Sequence, residues 1–383
     1  MGYTFKNATI IDADGIRSGD VHVENGIITD TEQENIIDCA GLVVMPALVD
    51  LHTHLRDPGY PQKETMESGM RAALKGGFAT LCAMANTMPV CSTPKLVTKN
   101  HEKAAELSLC RLYQCGALGI DIKDITATDR EALSTVTPML SNDGNTIFSD
   151  AFMEQALIDS KKYGFVISTH CQPEADIVRR DIELLRKHGG NLHVGHISLK
   201  ETLDMIIKAR NEGLSITCEV TPHHLFDFDN PYKVNPPMRT KEDVLALIEG
   251  VKSGMIDCLA TDHAPHTVED KAAGMAGISN IEYALSVWIH VFTENDIPLS
   301  TLSRMASYNS ARRIGLSDRL IKSGCIADIT VVDTNKVYTI ETQDMISRSH
   351  NTPFAGRKVR GKVKLTMVEG EIRYVDGQIG SKS

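Results

Sequence analysis

Residues 42–54 read LVVMPALVDLHTH, an apolar run that ends in two histidines separated by one residue. Side chains two positions apart on a strand share a face, so His52 and His54 can reach one metal ion from the end of a buried strand. A His-x-His pair is a weak signal by itself, because polar residues are also common where a strand meets solvent. The signal gains weight only if ligand-type residues also close the other apolar runs.

Short apolar runs alternate with helical patterns eight times along the chain. Strands are predicted at 44–52, 78–84, 110–117, 137–141, 165–170, 191–196, 215–220 and 256–261, and helices between them at 64–75, 95–107, 174–187, 199–211 and 241–252. Strand–helix alternation in this number predicts an α/β protein, a (β/α)8 TIM barrel.

The two ends of the chain carry a different pattern. Short strands separated by turn residues are predicted at 3–11, 21–23 and 27–29, and again at 327–332, 337–340, 364–368 and 372–375. Neither group has enough strands for a core of its own, so we expect both termini to combine into one small β-sandwich beside the barrel. The expected domains are 1–47 and 317–383 for the two parts of the sandwich, and 48–316 for the barrel.

Composition excludes several function classes. The chain has 383 residues, 42% of them hydrophobic, so it can bury a large core. Its formal net charge of −10 disfavours binding to the phosphate backbone of a nucleic acid. Nine cysteines without C-x-x-C spacing indicate a reducing compartment, and the sequence has neither a signal-peptide pattern nor a long apolar span. We expect a cytoplasmic protein that binds neither nucleic acid nor a membrane.

Ligand-type residues do follow the other predicted strands, where active sites of TIM barrels lie. Six of them suit two metal ions better than one tetrahedral zinc with an open position. Asp150 lies close enough in sequence to compete with Asp143 for a place in the set. The six candidate ligands are His52, His54, Asp143, His170, His196 and Asp262.

Several motifs resemble those of the dihydroorotases of the long bacterial class, within the cyclic amidohydrolase superfamily. They include VDLHTHLRDPG at 49–59, ANTMP at 85–89, SNDG at 141–144, HVGHIS at 193–198 and ATDHAPH at 260–266. The resemblance implies two zinc ions, one held by His52, His54 and Asp262 and the other by His170 and His196. It also implies that Asp143, rather than Asp150, bridges the ions and that Asp262 is the catalytic acid and base.

The same resemblance implies the substrate and the residues that bind it. Related hydantoinases, dihydropyrimidinases and allantoinases bridge their metals with a carboxylated lysine, and no lysine ends the fourth strand here. Arg56 offers a planar fork that suits a carboxylate, which neutral hydantoin or uracil-type rings lack. The implied reaction is the reversible hydrolysis of dihydroorotate to N-carbamoyl-aspartate, and the implied substrate-binding residues are Arg56, Asn86, Asn235, His266, Ala276 and Gly277.

Three alternatives stay open at this point. The chain can be another cyclic amidase of the dihydropyrimidinase or hydantoinase kind, which would prefer rings without a carboxylate. It can be an inactive, dihydroorotase-like scaffold subunit, although such chains usually lose metal ligands. A metal-storage protein is disfavoured, because it would have no use for the arginine and the paired asparagines. Beyond the small-molecule substrate, the resemblance suggests a homodimer and an association with aspartate carbamoyltransferase as partner hypotheses.

Overall fold

The computed structural model describes residues 2–380. The strands within these residues are, in chain order, β1 (Gly2–Asp12), β2 (Gly15–Glu24), β3 (Ile27–Thr29), β4 (Asn35–Asp38), β5 (Val43–Pro46), β6 (Leu48–Thr53), β7 (Phe78–Ala83), β8 (Arg111–Gln114), β9 (Met139–Ser141), β10 (Val166–Thr169), β11 (Leu192–Val194), β12 (Ile216–Val220), β13 (Cys258–Leu259), β14 (Ile329–Thr339), β15 (Lys358–Val368), β16 (Glu371–Val375) and β17 (Gln378–Ile379).

Helices lie between the central strands and after them. The α-helices of the described residues are α1 (Met66–Lys75), α2 (Pro94–Leu107), α3 (Arg130–Ser134), α4 (Asp150–Tyr163), α5 (Glu174–His188), α6 (Lys200–Asn211), α7 (Pro222–Phe226), α8 (Lys241–Lys252), α9 (Val268–Ala272), α10 (Ala284–Glu294), α11 (Leu299–Ser303) and α12 (Ser310–Arg313). None of these described helices has the length and apolar character needed to cross a membrane.

Both chain ends contribute to one mixed sheet, which has nine strands within residues 2–380. Its order is β17-β16-β15-β14-β5-β1-β2-β3, with β4 beside β1. The ends meet where β14 runs antiparallel to β5, with Ile329 opposite Pro46. Phe5, Val23 and Met367 are fully buried in the apolar cluster of this sheet. The two termini therefore combine as expected, and their division into two sandwich layers stays a prediction.

Eight parallel strands of the described chain lie between these ends. Their ladders form a sheet β6-β7-β8 and a sheet β13-β12-β11-β10-β9. A single bridge between Gly116 and Leu140 links β8 to β9, and another between Thr53 and His263 links the end of β6 to the segment after β13. The order agrees with the predicted α/β alternation, while the continuous ladders form two separate sheets rather than one ring.

The apolar run predicted as one strand at 44–52 is in fact two strands. β5 pairs with β1 and β14 in the terminal sheet, whereas β6 pairs with β7 among the parallel strands. The chain crosses between the sheets at Ala47, whose N–H donates to the Asp328 carbonyl at 2.9 Å. Both strands are buried throughout, so apolar character alone could not reveal the crossing.

The opposite error occurs near the C-terminus, where strands predicted at 327–332 and 337–340 are one strand, β14. The polar residues between them form an irregularity in the pairing with β15, after Asp333, rather than a turn. Asp333 accepts hydrogen bonds from the N–H groups of Asn335 and Lys336, so the polar segment is satisfied without ending the strand.

Helix boundaries follow capping residues. α1 begins after Thr65, whose hydroxyl accepts the Ser68 N–H while the Ser68 side chain accepts the Thr65 N–H. This cap places the start two residues after the predicted one. Met66, Met70 and Leu74 share the buried face of α1. α8 has the predicted bounds, and its Thr240 cap accepts the Asp243 N–H.

A buried ion pair joins the parallel strands to the terminal sheet. Arg111 on β8 binds Asp328 with both terminal nitrogens, Nη1 to Oδ2 at 2.5 Å and Nη2 to Oδ1 at 2.7 Å. The Asp328 side chain is fully buried, and its Oδ1 also accepts the Glu369 N–H. Two parallel bonds in a buried setting fix the relative position of the two parts of the fold.

We therefore expect Arg111→Met to destabilise the protein by about 3–5 kcal/mol, because it leaves the Asp328 charge buried without its main partner. Arg179→Met is the matched control, since Arg179 forms exposed pairs with Asp176 and Glu201 and should lose no measurable stability. Urea unfolding of both variants checks this. Equal stability of the two variants would contradict the structural role of the Arg111 pair.

Candidate metal centre and active-site pocket

Two imidazoles reach the site from β6. His52 lies near the end of the strand and His54 directly after it, and both are buried. The Nδ1 atoms of both rings contact polar partners, Glu219 Oε1 at 2.7 Å for His52 and Asn86 Oδ1 at 2.9 Å for His54. These contacts turn both Nε2 atoms towards Asp143, each at 3.2 Å from one of its oxygens.

Asp143 follows β9 and stands at the centre of the cluster. Its Oδ1 lies 3.5 Å from His170 Nδ1 and 3.4 Å from His196 Nε2, so one carboxylate faces imidazoles from three strands. Two groups of metal-ligand atoms, each within 4.8 Å, share this residue: His52 and His54 with Asp143, and His170 and His196 with Asp143. Asp150, the competing acid of the sequence analysis, lies instead at the start of α4, paired with Arg180.

Asp262 completes the convergence of the six predicted ligands. Its Oδ1 lies 3.2 Å from His54 Nε2 and 3.7 Å from His52 Nε2. Asp262 and His196 both have left-handed backbones, with φ of 45° and 33°. Such conformations are costly outside glycine and cluster at functional sites. Here they occur shortly after β13 and β11, where the Asp262 side chain contacts His54 and the His196 side chain contacts Asp143.

The atoms of this cluster fit divalent metal ions. His52 Nε2 and Asp143 Oδ1 are buried and have no hydrogen-bond partner of adequate geometry among the described residues. Burial of such atoms without a partner is costly, and coordination to a metal would remove that cost. Four imidazole nitrogens and two carboxylates are donors that zinc, cobalt and manganese accept. The described residues therefore contain groups able to bind metal.

The charges of the cluster also favour a cation. Burial lowers the pKa of His52, but Asp143 and Glu219 outweigh it and hold that pKa well above the ordinary value. Burial likewise raises the pKa of Asp143, but the facing histidines outweigh it and keep it well below its usual range. These opposite shifts mean that the site stabilises positive charge, carried by protons or, more effectively, by divalent ions.

Glu219 was not found by the sequence analysis. It lies on β12, fully buried, and accepts from His52 Nδ1 at 2.7 Å and His193 Nε2 at 3.0 Å. Burial raises its pKa, but the two histidines lower it more strongly, to about 2. A carboxylate holding the far nitrogen of a ligand histidine fixes the ring and its tautomer. The signal available in the sequence was an acidic residue within the strand predicted at 215–220.

Asp50 is a second buried carboxylate to which the motifs assigned no role. It accepts the Thr261 N–H at 2.9 Å and the His52 N–H at 3.2 Å. These bonds tie β6 to Thr261, the residue before Asp262. At this place a single bridge, between Thr53 and His263, links β6 to the segment after β13. Asp50 therefore holds ligands from both ends of the parallel strand order in register.

A cavity of about 490 Å³ opens beside the cluster. The predicted substrate-binding residues all line it, together with Tyr60, Lys63, Ile122 and Lys233. Arg56 has φ of 56° and lies two residues after His54. Its Nε donates to the Pro265 carbonyl at 3.2 Å and its Nη2 contacts His266 Nε2 at 3.2 Å. The six predicted substrate-binding residues that line the cavity are Arg56, Asn86, Asn235, His266, Ala276 and Gly277.

Three further histidines near the site support the fold. His224 Nδ1 contacts the Thr221 hydroxyl at 2.7 Å, and Nε2 contacts the Pro236 carbonyl at 3.0 Å, which holds the segment that carries Asn235. His263 Nδ1 accepts the Asn280 N–H at 3.2 Å. His223 is fully buried, and burial lowers its pKa to about 4. None of the three lines the cavity described above.

Comparison with known proteins shows the family to which this chain belongs. The profile of the amidohydrolase family matches residues 43–373. The chain is 36% identical over 396 residues to a dihydroorotase of Clostridium botulinum (strain Eklund 17B / Type B), covering 98% of this chain and all of that protein. It is 35% identical over 420 residues to a dihydroorotase of Aquifex aeolicus (strain VF5), covering 97% and 99% of the two chains.

The chain belongs to the amidohydrolase family, among its dihydroorotases. The resemblance inferred from the motifs is thus confirmed. Solved structures with the same fold include the L-hydantoinase of Arthrobacter aurescens, with a TM-score of 0.91 and 22% identity over 99% of this chain and 97% of that one. The dihydropyrimidinase of Brevibacillus agri NCHU1002 has a TM-score of 0.89 and 20% identity over 99% and 96%. These distant structures establish the amidohydrolase fold and nothing finer.

Glu219→Gln should weaken the binding of divalent metal about 10- to 100-fold. The neutral amide of glutamine fixes the His52 ring less strongly than the charged carboxylate does. Glu102→Gln, on the exposed side of α2, is the control and should bind metal normally. Competition with a chromogenic chelator measures both affinities. Unchanged metal affinity in Glu219→Gln would show that His52 does not depend on this carboxylate.

Proposed function

We propose that this protein is a dihydroorotase, which hydrolyses the cyclic amide of (S)-dihydroorotate reversibly to N-carbamoyl-L-aspartate and forms the ring in pyrimidine biosynthesis. The observation that carries the proposal is Arg56 in the wall of a cavity that is also lined by five of the six candidate ligands, all except His52. A partly buried guanidinium two residues after a candidate metal ligand provides a place for a carboxylate next to the reacting amide. Relatives named dihydroorotase along the whole chain support it.

The proposal includes two zinc ions per chain. His52, His54 and Asp262 would hold one ion, His170 and His196 the other, and Asp143 would contact both. The shared position of Asp143 in the two ligand groups supports this division. When bound, the two ions would supply Lewis acidity, which polarises a carbonyl and lowers the pKa of water from 15.7 towards about 7.

The chain's own residues then have two tasks, proton transfer and orientation. Asp262 would take a proton from the attacking water and return it to the leaving ring nitrogen, a contribution of about 100- to 10,000-fold. Arg56 and Asn86 line the cavity and would orient the substrate carboxylate, with His266 beside Arg56. Asn235 and the backbone of Ala276 and Gly277 would face the ring.

The strongest alternative is a dihydropyrimidinase or hydantoinase activity. The solved hydantoinase and dihydropyrimidinase structures named above share the fold, but at 20–22% identity they do not define a substrate for this chain. Arg56 argues against a ring without a carboxylate, because its charge would then be desolvated without a partner. An inactive scaffold subunit is disfavoured because all six ligand residues are present and converge.

Further parts of the proposal concern architecture and setting. We propose that β6 to β13 close as a (β/α)8 barrel through the two single bridges, and that the domain boundaries lie near residues 47 and 317. A cytoplasmic location is supported by cysteines that are free thiols throughout the described chain. The homodimer and the association with aspartate carbamoyltransferase stay predictions from the resemblance.

A substrate panel tests the activity. The purified enzyme, with its zinc content measured, should hydrolyse dihydroorotate with a kcat/KM at least about 100-fold above that for dihydrouracil, since loss of a charged partner costs about 3 kcal/mol. Arg56→Met should raise KM for dihydroorotate more than it lowers kcat, because the residue orients without joining the bond changes. A preference for dihydrouracil would favour the hydantoinase-like alternative, and metal-free, inactive protein would favour the scaffold.

Asp262→Asn should lower kcat at least about 100-fold, because the amide cannot accept the proton. Zinc content must be measured on the same sample, since Asp262 is also a proposed ligand. Asp204→Asn, which changes an exposed carboxylate on α6, should retain normal turnover. If Asp262→Asn keeps substantial activity at full zinc occupancy, another group is the base.

A further inference from the structure

We propose that Lys271 is a positioning residue, which holds two parts of the cavity wall together by donating hydrogen bonds to three backbone carbonyls. One part is the segment 232–235, which ends in Asn235, and the other is the glycine-containing segment 274–277. The inference rests on the proposed function, because these segments carry residues that would face the ring. Lys271 is neither a candidate metal ligand nor one of the predicted substrate-binding residues.

Backbone carbonyl oxygens surround the ammonium group of Lys271. Its Nζ donates to the carbonyls of Lys233, Met275 and Gly277, each at 2.9 Å. A lysine ammonium has three N–H donors, so each donor has one acceptor here. The centroid of the Tyr232 ring lies 4.2 Å from the same Nζ, within the range of a cation–π contact. One ammonium group thus binds both segments of the wall.

The three acceptors all belong to residues that line the active-site cavity. Lys233, Met275 and Gly277 lie in the wall of that cavity of about 490 Å³. Lys271 and Tyr232 line a neighbouring cavity of about 500 Å³. The ammonium group therefore lies behind the wall that the substrate would meet, and it acts through the backbone of that wall rather than by touching the substrate.

The 274–277 segment depends on such support because it contains two glycines. Gly274 and Gly277 have φ of 81° and 145°, and glycine loses more conformational freedom on ordering than any other residue. The Gly277 N–H donates directly to the Lys233 carbonyl at 3.1 Å, which is one bond between the two segments. Lys271 binds both segments from a single atom and so restricts their relative movement. A wall that is already ordered loses less freedom when a ligand binds.

The charge of Lys271 strengthens these bonds. A charged N–H donor forms hydrogen bonds about twice as strong as those of a neutral donor. Burial, followed by the charge of Lys233, lowers the pKa of Lys271 to about 8, so the side chain still carries its charge at neutral pH. An apolar side chain at this position would remove a charged donor from three carbonyl oxygens at once.

Other contacts also hold the 274–277 segment. The Gly277 carbonyl accepts a further hydrogen bond from Asn351 Nδ2 at 3.0 Å. The Met275 N–H donates to the Asp270 carbonyl, also at 3.0 Å. Loss of the lysine ammonium should therefore loosen this segment without unfolding it, which makes a substitution informative.

Hydrogen exchange, measured by mass spectrometry, and kinetics on the zinc-containing enzyme test the inference. In Lys271→Met we expect the amides of residues 274–277 to exchange at least about tenfold faster, because the ammonium group no longer holds this segment. KM for dihydroorotate should rise about tenfold at neutral pH while kcat changes less than about threefold, because Lys271 neither touches the substrate nor transfers a proton. The zinc content should equal that of the wild type.

Lys252→Met is the matched control. Lys252 Nζ also donates to a backbone carbonyl, that of Asn295 at 3.3 Å, but neither residue lines the cavity. This variant should change neither the exchange of residues 274–277 nor KM. Unchanged exchange and KM in Lys271→Met would overturn the inference. Faster exchange with an unchanged KM would overturn it too, because Lys271 would then stabilise the fold without positioning the wall for the substrate.

Chemical rescue separates the three hydrogen bonds from the charge. Lys271→Ala removes the side chain beyond Cβ, and added propylammonium can supply the missing atoms from the neighbouring cavity. Propylammonium should lower KM of this variant at least about threefold, because it restores the donors. Tetramethylammonium has the charge but no N–H donor, so it should leave KM unchanged. Wild-type enzyme with the same additions gives the baseline, and equal rescue by the two cations would overturn the assignment of three donors.

The outcome for the proposed function is distinguishable from these results. If the wild-type enzyme does not turn over dihydroorotate, the proposed function fails, and hydrogen exchange in Lys271→Met alone decides whether the ammonium group holds the wall together. If dihydroorotate is the substrate but Lys271→Met has the exchange and KM of the wild type, the function stands and the inference about Lys271 fails.

Discussion

The contact of one carboxylate, Asp143, with imidazoles from three strands is the constraint on which the site depends. A buried carboxylate is costly unless positive charge surrounds it, and here His52, His170 and His196 all face the same oxygen. The ends of separate strands are thereby held at one point. Whatever positive charge occupies the cluster also stabilises the strand order around it, so metal binding and folding are coupled.

Outer carboxylates support that contact. Glu219 contacts the far nitrogen of His52, and Asp50 ties the His52 backbone to Thr261. Each carboxylate acts through a histidine or a backbone group rather than on the cavity itself. The site is therefore built in two layers, in which the outer acids determine where the inner nitrogens point.

The sequence was informative where ligand-type residues lie at the ends of apolar runs. It was uninformative where the structure depends on which strands or side chains pair with each other. Histidines and aspartates at the ends of apolar runs could be predicted because strand ends form the rim of such folds. The crossing at Ala47 could not, because β5 and β6 are equally apolar and differ only in their partners. Glu219 was missed for a related reason: its role depends on a contact with His52, which lies on a different strand and is 167 residues away in the sequence.

Under the proposed function, substrate recognition and metal binding depend on the same segment of this chain. Arg56 follows His54 by two residues, and its left-handed backbone turns the guanidinium back towards Pro265 and His266, away from the line of β6. Under the proposed function, the same short segment thus supplies two metal ligands and the side chain that binds the substrate carboxylate. A shift of β6 by one residue would move both to the wrong face. Under the proposed function, a change of substrate would have to spare the ligand pair, which contacts Asp143, and would act through residues that line the cavity, such as Arg56.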